Sequence, residues 1–154
     1  MELILWRHAD AEPGKDDAKR ELTDKGRKQA ARVAKWLKPR IDDEWLILVS
    51  PTVRTRQTAD ALGLKYELKI TLGPDSTAPA ILREAHWPDR ERNVLIIGHQ
   101  PVLGQIAARL ITGQSGDLAF RKGSVWWFST RQDEEGEAGV TLRAMIGADL
   151  VEAD

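Results

Sequence analysis

Three short apolar runs constrain this chain more than anything else in it. Residues 2–6 (ELILW), 45–50 (WLILVS) and 93–99 (NVLIIGH) are almost continuously apolar and end in polar residues. Runs of this length and composition read as strands buried on both faces, which occur mainly where helices cover a parallel sheet. Helix signals follow them. Residues 22–37 carry Thr23 as N-cap, Asp24 in the first turn, and Ala30, Val33, Ala34 and Leu37 at helical spacing before Pro39. Ser50 and Pro51 read as N-cap and first residue of a helix to about residue 62, and Pro101 as the start of another to about 111.

Between these, 66–70 suggests a short edge strand and 76–86 a weak helix. The tail differs: 124–129 (SVWWFS) and 140–146 (VTLRAMI) read as strands around the acidic, glycine-containing loop TRQDEEGEAG, an antiparallel hairpin. Trp126 and Trp127 are adjacent, so a strand sends them to opposite faces. The expected architecture is α/β, a three-layer sandwich with a mostly parallel central sheet and a C-terminal hairpin. The 154 residues suffice for a single domain, 1–154, and leave no segment for a cap domain.

With 23 basic and 24 acidic side chains the net charge is −1, which argues against a nucleic-acid binder. No run approaches the ~18 apolar residues of a membrane span. Cysteine is absent, which excludes disulfides and thiolate chemistry. With no basic leader at the N-terminus, a cytoplasmic location is expected.

In open α/β sheets, ligands bind beyond the carboxyl ends of the strands. Arg7 and His8 close the first strand, His99 closes the third run, and Arg54 falls in the first turn of the helix after the second. Individually these are bland: Arg54 reads as a solvated or salt-bridged side chain, and His99 as a core histidine bonded to a carbonyl. Together, two guanidiniums, two imidazoles and two helix N-termini at one edge describe a phosphate site. A metal is not expected, because the arginines repel a divalent cation and no carboxylate accompanies the histidines at ligand spacing. His86 ends the weak helix away from this edge and reads as structural.

These residues also resemble a known family. LWRHAD is similar to the Arg-His-Gly opening of the histidine phosphatase superfamily, SPTVRTRQT to its Ser-Pro-x-x-Arg-x-x-Gln-Thr segment, and GHQP to its Gly-His-x-Pro. RELTDKG resembles the Arg-x-Leu-Thr-x-x-Gly that enters the first helix. The set follows the order of the small, SixA-type members, with a phosphoglycerate mutase-like fold. Ala9 stands where glycine is usual, which would limit approach of the backbone to a phosphate. KITLGPDSTAPAIL lacks the glutamate that mutase-like relatives use as general acid, and Asp75, the nearby acid, is not assigned that role.

The resemblance implies covalent catalysis by His8, with Arg7, Arg54 and His99 binding the phosphoryl oxygens and no cofactor. The neighbouring cations are expected to keep His8 unprotonated. The implied substrate is phosphohistidine on a protein, such as a phosphotransfer domain of a signalling relay, in a shallow, uncapped site. The alternatives are a phosphatase of small phosphate esters and a non-catalytic phosphoprotein-binding module.

Overall fold

A computed structural model of the protein describes residues 1–132 and 138–151. Six strands form one sheet: β1 (Glu2–Arg7), β2 (Leu46–Val49), β3 (Glu67–Leu68), β4 (Val94–Gly98), β5 (Val125–Gln132) and β6 (Ala138–Ile146), in the order β3-β2-β4-β1-β5-β6. The pairs β2–β3, β2–β4 and β1–β4 are parallel, while β1–β5 and β5–β6 are antiparallel. The expected sandwich is present, and the three apolar runs are the three central parallel neighbours. Four helices cover the sheet: α1 (Asp24–Leu37), α2 (Val53–Asp60), α3 (Ala78–Glu84) and α4 (Val102–Thr112).

The period-2 alternation of the buried strands builds two cores. Ile4, Trp6, Ile47, Val49 and Ile97 pack with Ala30, Val33, Ala34 and Leu37 of α1 and Ala59 of α2. Leu3, Leu5, Leu48, Val94 and Ile96 pack on the other face with Ile81 of α3 and Leu103 and Ile106 of α4. Each fully buried aliphatic side chain contributes roughly 1.5–3 kcal/mol, so the strands that bring the site residues together are the best anchored. Trp126 and Trp127 do point to opposite faces. Trp127 meets Trp36 and Trp45 edge-on, and Trp126 stacks on Phe120.

Several boundaries move. α2 begins at Val53, three residues after the expected cap, because the Thr55 hydroxyl donates to the carbonyls of Ser50 (2.7 Å) and Thr52 (2.9 Å). Those bonds close the Ser50–Thr52 stretch as a turn of its own. The edge strand shrinks to Glu67–Leu68, and the chain turns through a 3₁₀ helix at Ile70–Leu72. The hairpin strands are longer than read, so residues 130–132 and 138–139 of the acidic loop pair in the ladder; its remaining residues, 133–137, lie outside the described residues. No helix among the described residues is long and apolar enough to cross a membrane.

Candidate active site

The register carries the site. Arg7 pairs with Gly98 and Val49 with Ile97, so His8, Ser50 and His99 leave three adjacent strands at one level. The ladder continues past the strands: His8 N–H donates to the Gly98 carbonyl and Ser50 N–H to that of Ile97, both at 3.1 Å. The β1 tip is then wrapped by the segment before β5. Gly123 N–H reaches the carbonyls of Arg7 (3.1 Å) and His8 (3.0 Å), from a positive φ of 78° that favours glycine.

The Arg-x-Leu-Thr-x-x-Gly segment locks the chain that follows the tip. Thr23 accepts a bond from Gly26 N–H as N-cap of α1 and donates to the Asp10 carboxylate at 2.8 Å. A Cβ on Gly26 would stand 1.9 Å from the Asp10 carbonyl oxygen, so only glycine lets α1 pack this tightly against the residues after His8. Gln57 and Thr58, the tail of the second motif, tie the same loop to α2. Gln57 Oε1 accepts from Leu22 N–H (2.8 Å) and Thr58 Oγ1 from Ala9 N–H (3.1 Å). The Ala9 amide is therefore committed to Thr58, and the side chain is fully buried.

The four expected residues converge. The His8 and His99 rings lie 5.4 Å apart, and Arg54 Nη2 is 3.4 Å from His99 Nδ1. Arg54 and Arg7 both disfavour the charged forms of His8 and His99. Arg7 Nη1 donates to the Phe120 carbonyl at 2.7 Å, which ties its guanidinium to the segment before β5. Beside it opens a cleft of about 470 Å³ whose lining includes Lys25, Phe120 and Lys122. The Nε–H donors of Arg7 and Arg54 are shielded from solvent and have no protein acceptor, a condition shared elsewhere by Arg56 Nε and Ser129 Oγ.

Ser50 is the first residue that the sequence reading misassigned. Instead of capping a helix, its hydroxyl lies 2.8 Å from His99 Nε2. With Arg54 donating to Nδ1, the hydrogen-bond pattern assigns the His99 proton to Nε2, donated to Ser50. His8 Nδ1 lies 2.8 Å from the Ala9 carbonyl, which can only accept, so the pattern places the proton there and leaves the Nε2 lone pair free. Asp17 and Arg20 are further residues that sequence reasoning missed. A 3₁₀ turn at Asp17–Lys19 lies over α2, where Arg54 donates to the Asp17 carbonyl (2.7 Å) and carboxylate (3.1 Å). Arg20 bonds the other carboxylate oxygen at 3.1 Å. Arg20 could have been found from its motif; Asp17 had no local signal.

The site is thus less shallow than expected. His8 is 6% exposed, Arg54 4% and His99 2%, beneath the loop expected only to form a rim. Asp75 is exposed, and among the described residues no hydrogen bond or ion pair joins it to this cluster. His86 stays outside it too, exposed beyond α3 with Arg90 Nη2 3.2 Å from its Nδ1.

Burial is the main reason that His8 falls from an ordinary 6.5 to about 4; the Ala9 carbonyl opposes it, and Arg54, Arg7 and Arg20 add to it. The cations thus act in the expected direction, and desolvation adds a larger effect in the same direction. His99 falls to about 3, again chiefly through burial, then through His8 and Arg54. These shifts carry a pH dependence. Because the unfolded chain binds the histidine protons more tightly, stability is complete above about 6.5 and is lost as pH falls toward 4. Urea midpoints should fall steadily between pH 6.5 and 5, before Asp10 and Asp17, both held below the ordinary 3.8, take up protons. A flat midpoint across that interval would contradict neutral, buried imidazoles.

Known proteins are similar to this chain in sequence and fold. The sequence profile of the histidine phosphatase superfamily (branch 1) matches residues 3–91. An uncharacterised protein of Picosynechococcus is 33% identical over 129 residues, covering 75% of this chain and 76% of the relative. The phosphohistidine phosphatase SixA of Escherichia coli is 28% identical over 124 residues, covering 75% and 77%. A solved structure of the protein histidine phosphatase SixA complexed with tungstate superposes with a TM-score of 0.75 at 25% identity, over 97% of this chain and 98% of that one. With the profile spanning more than half of the chain and the fold shared almost end to end, the protein belongs to the histidine phosphatase superfamily and is a histidine-nucleophile phosphatase.

Proposed function

We propose that the protein hydrolyses phosphohistidine on a protein, such as a phosphotransfer domain, through a covalent intermediate on His8. The observation that carries this reading is the charge state of the cluster. It holds a neutral imidazole with a free Nε2 lone pair beside two guanidiniums, and the carboxylate bonded to it among the described residues, that of Asp17, is held ionised by Arg54 and Arg20. The relative from Escherichia coli, a phosphohistidine phosphatase by name, supports the same substrate class.

In the first step His8 Nε2 forms a bond to phosphorus while the bond to the leaving group breaks, its electron pair departing with that group. In the second, a water oxygen bonds phosphorus, the P–Nε2 bond breaks, and inorganic phosphate leaves neutral His8. Arg7 and Arg54 hold the equatorial oxygens through the terminal N–H donors that their bonds to Phe120 and Asp17 leave over. His99 stays neutral and keeps Arg54 oriented through Nδ1, and Ser50 holds the ring from the other side.

An ester needs a proton donor for its departing oxygen, and an ionised Asp17 has none to give. Phosphohistidine leaves as neutral imidazole once its other ring nitrogen is protonated. The P–N bond is therefore the easier one to break in a site furnished with cations. A comparison of kcat/KM on a histidine-phosphorylated phosphotransfer domain and on small phosphate monoesters tests this. A clear preference for the phosphotransfer domain is expected. Equal or better turnover of a monoester would move the assignment to a small-ester phosphatase.

A further inference from the structure

We propose that Asp17 selects the leaving group: its carboxylate, on the solvent side of the cluster, accepts a hydrogen bond from the far ring N–H of a protonated phosphohistidine. This rests on the phosphohistidine reading above and adds to it the residue that sets the preference.

The carboxylate is fixed although it is exposed. Its Oδ2 is 3.1 Å from Arg54 Nη2 and its Oδ1 3.1 Å from Arg20 Nη1. The backbone carbonyl of the same residue takes Arg54 Nη1 at 2.7 Å, and Arg20 Nε is anchored on the Glu12 carbonyl at 2.7 Å. Each carboxylate oxygen still has acceptor capacity to spare. Desolvation pulls Asp17 upward, but the bonds from Arg20 and Arg54 together outweigh it and hold the carboxyl below its ordinary value.

Exposure gives the direction. The Asp17 side chain is 58% exposed, whereas that of Arg54, to which it is bonded, is 5% exposed and His8 lies buried with it. In-line displacement puts the leaving group opposite the attacking nitrogen. With His8 attacking from the buried side, the leaving group departs outward, the side on which Asp17 sits.

The chemistry then separates the two substrate classes. In phosphohistidine the P–N bond breaks with its electron pair passing to the nitrogen that held phosphorus. The ring leaves neutral because its other nitrogen already carries a proton, and a carboxylate facing that N–H favours the protonated form. An ester offers no such N–H. Its departing oxygen gains negative charge, which the same carboxylate repels. One residue thus assists P–N cleavage and opposes P–O cleavage.

Asp17→Asn keeps an acceptor for the arginines and removes the charge; Asp17→Glu keeps the charge at greater reach. Both would be assayed on a histidine-phosphorylated phosphotransfer domain and on phenyl phosphate, with circular dichroism confirming the fold. In Asp17→Asn the kcat/KM on the phosphotransfer domain should fall about tenfold more than that on phenyl phosphate, the scale of a lost charge-assisted hydrogen bond. The high-pH limb of the phosphohistidine profile should move to lower pH, because the ring loses the group that favours its protonated form. Asp17→Glu should recover part of both effects. Equal losses on the two substrates with an unmoved limb would mean that Asp17 only positions Arg54, overturning the inference while the phosphohistidine reading stands. Wild-type protein that turns over phenyl phosphate and not the phosphotransfer domain would overturn that reading itself.

Discussion

His8→Ala is expected to abolish turnover and leave the protein folded. The backbone of residue 8 is held independently of the imidazole, by its N–H on Gly98 and by Gly123 on its carbonyl. Among the described residues the ring's hydrogen bond is to the carbonyl of the neighbouring Ala9. What the substitution removes is the one nitrogen lone pair left free among guanidiniums, and with it the covalent route. Losing a nucleophile that acts as part of a unit can cost up to about 10⁶ in kcat, as in serine proteases. Rapid quench with substrate labelled in the phosphoryl group should trap an acid-labile phosphoryl on the wild type and none on His8→Ala. Substantial turnover by the variant would sink the covalent role of His8, whatever the substrate.

The contrast between what was and was not readable in the chain has a physical basis. The three central strands were legible because burial on both faces forces a continuous apolar run, as in NVLIIGH, and because each run ends where its polar residues must emerge. Their parallel order followed from the intervening helices, and the placement of Arg7, His8, Arg54 and His99 followed from that order. Thr23 was legible because a cap is a local device: its partner Gly26 is three residues away. Ser50 misled for the same reason. A Ser-Pro pair is a sound local helix start, but here its hydroxyl answers to His99, 49 residues on, and Thr55 takes its carbonyl. Asp17 was invisible because its meaning lies in Arg54, 37 residues away, and nothing within its own 3₁₀ turn announces that partner. The cations that lower His8 were legible because charges can be read from a sequence, while the larger effect of burial comes only with the fold.

Arg54→Ala should cost about 3 kcal/mol of transition-state stabilisation, or some 10²–10³ in kcat, the scale of removing one preorganised charge-stabilising donor. The argument rests on how thoroughly this side chain is built in. It is 4% exposed, spends Nη1 and Nη2 on Asp17 and His99, and keeps an Nε–H with no protein acceptor. A guanidinium so fixed is already oriented when charge develops on the phosphoryl oxygens, so little reorganisation is needed. The loss should therefore fall mainly on kcat and less on KM. Lysine should not rescue it, because an ammonium cannot reach Asp17, His99 and a phosphoryl oxygen in one plane. A second readout is independent of rate. Arg54 is among the groups that depress both imidazoles, so its removal should raise them and move the acid limb of kcat/KM to higher pH than in the wild type. The direction is fixed by charge: without the cation, protonating His8 is less costly, and the free lone pair is lost earlier as pH falls. Activity within about threefold of wild type, with an unmoved acid limb, would show that Arg54 braces the loop at Asp17 and takes no part in holding the phosphoryl group.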